Sequence, residues 1–148
     1  MRIARSALVG LAVPLALAAT VCVAAAAQEL VRNGLFNEGG DGAPGAWTTE
    51  VYAPGPKFTE FSWGVDGLGI GSVTIASHQP NDARYVQTVP VSPSTWYRIS
   101  AWAQTEDVGA EQIGAYLSVM DTFDNSQDLR GTQGWQLLSL WVHTGSLE

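Results

Sequence analysis

The sequence predicts an all-β fold, a two-sheet antiparallel β-sandwich of jelly-roll type, preceded by a signal peptide. Three observations predict it. Beyond residue 28 no stretch keeps a helical period in its apolar residues. Short runs rich in Val, Ile, Thr and aromatics alternate with clusters of Gly, Pro, Asn and Asp. Strands do not alternate with helices, which argues against a nucleotide-binding α/β fold.

The first element is the leader, residues 1–27. Arg2 and Arg5 give a basic start, Leu8 to Val23 is apolar and uncharged, and Ala24 to Ala27 offer small-residue cleavage sites ending at Ala27. The apolar run is short for a spanning helix and Pro14 interrupts it, which disfavours a retained anchor. Bulky Val21 before Cys22 disfavours a lipid-attachment site. The expected location is therefore secreted, extracellular or periplasmic, with no membrane contact after cleavage.

Residues 28–148 then form one domain, long enough for a core of its own. The single cysteine, Cys22, leaves with the leader, so the exported domain has no disulfide. Removing Arg2 and Arg5 from the 7 basic residues leaves 5 against 14 acidic ones, a balance of −9. Such a surface repels nucleic acid and anionic membranes, and leaves neutral or cationic ligands as partners.

The predicted strands are 29–36, 46–53, 58–64, 70–77, 84–91, 96–105, 112–120 and 135–143, separated by breakers such as NEGGDGAPG, APGP, DGLG, HQPND and VSPS. In 96–105, Tyr97, Ile99, Ala101 and Ala103 share one face, while Trp96, Arg98, Ser100, Trp102 and Gln104 share the other. In 112–120, Ile113, Ala115, Leu117 and Val119 oppose Tyr116 and Ser118. In 135–143, Leu138, Leu140 and Val142 oppose Ser139, Trp141 and His143.

Six tryptophans, four tyrosines and four phenylalanines make the chain aromatic-rich. Core packing accounts for Phe36, Trp47 and Tyr97, and Trp135 is assigned to the core with them. It does not account for aromatics that lie opposite an apolar face. If the aliphatic faces point inward, Trp102, Tyr116 and Trp141 point outward in the company of Arg98, Gln104 and His143. Such a surface suits a sugar, whose C–H face stacks on an indole while its hydroxyls take directed hydrogen bonds. The competing reading is a face covered by a loop or a neighbouring domain.

Enzymatic signals are scarce. GxSxG, HExxH and Cys/His clusters are absent, and His78 lies in the turn SHQPND. The acidic loop DTFDNSQD lacks the glycine and terminal glutamate of an EF-hand and reads as a solvated loop.

The order of several motifs resembles the carbohydrate-binding modules grouped as families 4, 9, 16 and 22, of the galactose-binding-like jelly-roll type. The motifs are NGLFNEGG at 33–40 with PGAW at 44–47, GIGSVTIAS at 69–77, RYVQTVPVSPSTWYRISAW at 84–102, IGAYLSV and GTQGWQLLSL. The resemblance implies a non-catalytic polysaccharide-binding domain that accompanies a glycoside hydrolase or another wall-acting domain. Read together with the acidic charge, it suggests a neutral, β-linked glycan. The ligand candidates are Trp102, Tyr116 and Trp141 as platforms and Arg98, Gln104 and His143 as hydrogen-bonding partners, with the site on the sheet face or at the loop edge. Gln87 fits the family's Gln-x-Val signature and serves either the ligand or a neighbouring backbone. No cofactor is required. The family's structural calcium takes a glutamate after the Phe, where this chain has Asn37, with Glu38 one residue further on. A family-like last strand is not found before residue 148, so the resemblance implies a module lacking its last strand or strands. The alternative function is a structural or adhesion sandwich packed on a neighbouring domain of a larger extracellular protein.

Overall fold

The computed structural model describes residues 28–145; the leader assigned to 1–27 lies outside the described residues. Among the described residues the chain is all-β, with eight strands: β1 Gly39–Gly40, β2 Ala43–Pro44, β3 Thr48–Val51, β4 Thr59–Val65, β5 Gly71–Ser77, β6 Ala83–Val86, β7 Trp96–Val108 and β8 Gly131–His143. They pair antiparallel as four ladders, β1 with β2, β3 with β6, β4 with β5 and β7 with β8.

The DGLG breaker closes the β4–β5 hairpin. Leu68 N and Ile70 N both donate to Asp66 Oδ1 at 2.9 Å, and Gly69 takes a φ of +76°. An aspartate that bonds the backbone ahead of it, followed by a residue free to turn left-handed, favours a turn over a continued strand.

Residues expected to be the strand 29–36 form a turn instead. Asn33 and Phe36 both have positive φ, 49° and 52°. The Asn33 side chain replaces a ladder partner: Nδ2 donates to the Glu38 and Gly45 carbonyls at 2.8 Å, and Oδ1 accepts from Glu38 N. Local side-chain bonds of this kind compete with sheet pairing. The turn drives Phe36 to full burial, with its ring 4.9 Å from that of Trp47. Two indoles then pin the turn from outside it. Trp63 Nε1 donates to the Phe36 carbonyl at 2.6 Å, and Trp47 Nε1 to the Asn33 carbonyl at 3.2 Å.

The predicted strand 112–120 is also replaced. It contributes only isolated bridges, Ala115 to Leu129 and Ser118 to Asn125. Without a continuous ladder the two-residue period lapses. Leu117 is buried, but Ile113, expected on the same inner face, is 75% exposed.

One core gathers residues from distant parts of the chain: Phe36 of the turn, Val73 of β5, Ala101 and Ala103 of β7, Leu138 of β8, and Leu117 and Leu129 of the bridged segment. Tyr85 ties β6 to β4. Its hydroxyl donates to the Ser62 carbonyl at 3.0 Å and its ring meets Phe61 edge-on at 5.4 Å. Partial burial raises its hydroxyl pKa above the ordinary value. Asn81 braces the β3 end against β4 through Ala53 and the Thr59 hydroxyl.

Candidate functional site

The β7–β8 ladder has the two faces that the alternation predicts. Ala101, Ala103, Leu138 and Val142 are buried, with Ile99 and Leu140 half-buried among them. The pleat turns the intervening residues outward. Direct pairing then sets them in rows across the two strands: Trp96 opposite His143, Arg98 opposite Trp141, Ser100 opposite Ser139, and Trp102 opposite Leu137. Gln104 follows where the register shifts between Ala103 and Thr105.

Directly paired side chains on one face lie roughly 4.5–5.5 Å apart at Cβ, and successive rows are about 7 Å apart along the strands. The face therefore has two aromatic ends. Trp96, His143, Trp141 and the Arg98 guanidinium form one, and Trp102 with Leu137 forms the other. The Ser100–Ser139 pair forms a low, polar saddle between them. Trp96 and Trp141 are 64% and 60% exposed, and Trp102 is half-buried. At the first end the Trp96 and His143 ring centroids are 5.0 Å apart. Gly145 N donates to His143 Nδ1 at 3.2 Å, which assigns the proton of the neutral ring to Nε2.

Of the residues selected from sequence, Trp102, Trp141, Arg98, Gln104 and His143 share this face. Tyr116 lies outside the ladder, half-exposed beside the Ala115–Leu129 bridge. Gln87 lies elsewhere, with its amide engaged by backbone. Arg32 N donates to Oε1 at 2.8 Å, and Nε2 donates to the Arg32 and Ala46 carbonyls at 2.9 and 3.0 Å.

Two tryptophans depart from the sequence expectation. Trp135, assigned to the core, is 41% exposed. Its parity with Ser139, Trp141 and His143 along the strand is the signal that marks it as outward. Trp96, on the outer face as the alternation predicts but outside the ligand candidates, is the most exposed tryptophan there.

Two shallow cavities lie away from this face. One of about 500 Å³ is lined by Thr49, Glu50, Val51, Tyr52, Asp82 and Arg84. The other, of about 240 Å³, is bordered by Glu29, Asn33 and Glu38. Calcium takes six to eight oxygen ligands. The Glu38 carbonyl already accepts from Asn33 Nδ2 and Gly45 N, and Glu29 Oε1 accepts from Val31 N. Among the described residues no three His, Cys, Asp or Glu side chains gather as a metal-holding group. Calcium at Glu38 thus rests on the resemblance alone.

No family model, curated protein or solved structure matches the chain.

Proposed function

We propose that the chain is a secreted, non-catalytic carbohydrate-binding module, a jelly-roll sandwich that lays a neutral, β-linked polysaccharide across the outer face of β7 and β8. The observation that carries this reading is the register that sets Arg98 against Trp141 and Trp102 against Leu137 on one exposed face. Indoles there offer flat apolar surface to sugar C–H groups. Arg98, Gln104, His143 and the two serines offer donors and acceptors to hydroxyls. The net charge of −7 disfavours anionic polymers and nucleic acid as ligands. In this reading the domain serves a catalytic domain of the same polypeptide by holding it on its substrate.

Retention on insoluble cellulose, β-glucan and xylan tests the reading. The Trp102→Ala, Trp141→Ala double variant should keep its fold and lose retention. A wild-type chain that binds none of these, nor any sugar on a glycan array, overturns the function. Unchanged retention of the double variant removes the site from this face.

One observation favours a second reading, in which a neighbouring domain covers the face. Leu137, 46% exposed between the serine saddle and the Trp102 end, offers a sugar no hydrogen bond and suits a protein surface. Acrylamide quenching of tryptophan fluorescence in the longer protein separates the two, since a covering domain shields the indoles.

A further inference from the structure

An asparagine followed by glycine is open to spontaneous deamidation, because no side chain shields the next amide nitrogen and the backbone there bends freely. Asn33–Gly34 is the one such pair in the chain. The other asparagines, Asn37, Asn81 and Asn125, precede Glu38, Asp82 and Ser126. Asn33 is also the clasp of its turn. Its Nδ2, the atom that deamidation expels, donates to both the Glu38 and the Gly45 carbonyls at 2.8 Å. Its Oδ1 accepts from Glu38 N at 3.2 Å. Its own carbonyl accepts from Phe36 N at 3.0 Å and from Trp47 Nε1 at 3.2 Å. Asn125 is held differently: it is exposed, and its Nδ2 reaches the Phe123 carbonyl at 3.4 Å.

We infer that Asn33 is a modification site, deamidating only from the opened turn and thereby preventing the turn from closing again. In the reaction the Gly34 nitrogen attacks Asn33 Cγ. A Cγ–N bond forms, the Cγ–Nδ2 bond breaks, and Nδ2 leaves as ammonia, its third proton replacing the one that solvent takes from the Gly34 amide. Water then opens the cyclic imide. Cleavage at Cγ gives aspartate, and cleavage at the Asn33 carbonyl carbon gives isoaspartate. The closed turn opposes the first step, since Cγ must swing toward Gly34 while Nδ2 gives up two carbonyls. Conversion therefore proceeds from the locally open population, at a rate scaled by that fraction. The product cannot rebuild the clasp. A carboxylate oxygen stands where Nδ2 stood, facing two carbonyl oxygens with no proton to offer. Isoaspartate also lengthens the main chain before Phe36, whose ring is fully buried and whose carbonyl accepts from Trp63 Nε1. The inference does not depend on glycan binding.

Peptide mapping by mass spectrometry, after incubation in mildly alkaline buffer with and without denaturing urea, reads conversion at each asparagine. In the unfolded chain Asn33 should convert faster than Asn125. In the folded chain its rate should fall at least about tenfold, and Asn125 should overtake it. Trp47→Phe removes the indole donor to the Asn33 carbonyl. It should speed conversion of Asn33 in the folded chain and leave the rate in urea unchanged. Asn33→Asp imitates one product and should lower the urea midpoint of unfolding or prevent folding altogether. Equal rates at Asn33 with and without urea overturn the inference, as does an Asn33 that stays intact in the unfolded chain. So does an unchanged folded-state rate in Trp47→Phe, or a wild-type midpoint in Asn33→Asp.

Discussion

Trp96 and His143 face each other across the β7–β8 ladder with ring centroids 5.0 Å apart and planes inclined at 53°. The backbone beside them is firmly tied. Thr144 Oγ1 donates to the Ser92 carbonyl at 2.7 Å and accepts from Thr95 N at 3.0 Å, and Ser94 N donates to the Gly145 carbonyl at 2.6 Å. An aromatic platform fixed before its ligand arrives loses less freedom on binding than a mobile one.

If the face binds glycan as proposed, Trp96→Ala should therefore weaken retention about tenfold, which corresponds to about 1.4 kcal/mol. The indole is largely exposed, so folding stability should change by less than about 1 kcal/mol. Affinity electrophoresis on glycan-containing gels, alongside thermal melts, measures both. Full retention by Trp96→Ala would confine the platform to Trp141 and Trp102.

Much of this face was legible in the sequence, for a simple reason. The side-chain period of a strand is two, so Leu138, Leu140 and Val142 predict their own inward direction and the outward direction of Ser139, Trp141 and His143. The same rule applied to Trp135 yields an outward residue, whereas aromatic bulk alone suggested the core. Legibility failed where side chains bond the backbone. NGLF has the apolar content of a strand, yet Asn33 takes over the carbonyls of Glu38 and Gly45, and the chain turns. It failed again at Ile113, because period-two reasoning presumes a ladder and 112–120 makes only single bridges. Pairing distant in sequence, such as Arg98 with Trp141, is set by register and is invisible to local pattern.

Gln87 serves as a test of structural against ligand roles. Its amide holds Arg32 and Ala46 through three hydrogen bonds that span 55 and 41 residues of chain. Gln87→Leu keeps the bulk and removes all three. Destabilisation of about 2–3 kcal/mol is expected from the lost bonds, read as a lowered urea midpoint. Glycan retention at a temperature where the variant is folded should stay at the wild-type level. Lost retention with an unchanged midpoint would move Gln87 into the binding site.

Gly71 marks the closest backbone approach in the core. Its N–H donates to the Leu35 carbonyl at 3.1 Å, and a Cβ at this position would collide with the Phe36 carbonyl. The clash is with backbone, so no rotamer relieves it. Gly71→Ala must displace the turn that buries Phe36 and accepts the Trp63 N–H. A loss of more than about 3 kcal/mol is expected, at the upper end for single substitutions. Near-ultraviolet circular dichroism should lose tryptophan signal as Trp63 and Trp47 lose their fixed settings. A variant as stable as wild type would mean that the turn sits farther from β5 than the geometry requires.

Asp128 gives the fold an acid-sensitive joint. Its Oδ2 accepts from Arg130 Nε at 2.6 Å and from Gly114 N at 3.1 Å, and the Arg130 bond is the main reason its pKa lies below the ordinary 3.8. A carboxyl depressed in the folded state binds its proton more readily when unfolded. Its stabilisation is thus complete above the ordinary value and disappears as pH falls through the lower folded value. The group is only half-buried, so solvent screens it and the effect is local: the Gly114 attachment and the Ala115–Leu129 bridge beside it should loosen. Asp128→Asn keeps an acceptor for Gly114 N but removes the charge. In that variant the Ala115 and Leu129 amides should exchange hydrogen faster than wild type at pH 6. As pH falls through the lowered folded-state value the intrinsically corrected protection of the two proteins should converge, since the wild-type carboxyl is then protonated as well. Equal protection at pH 6 would show that the Arg130 contact does not hold the bridge.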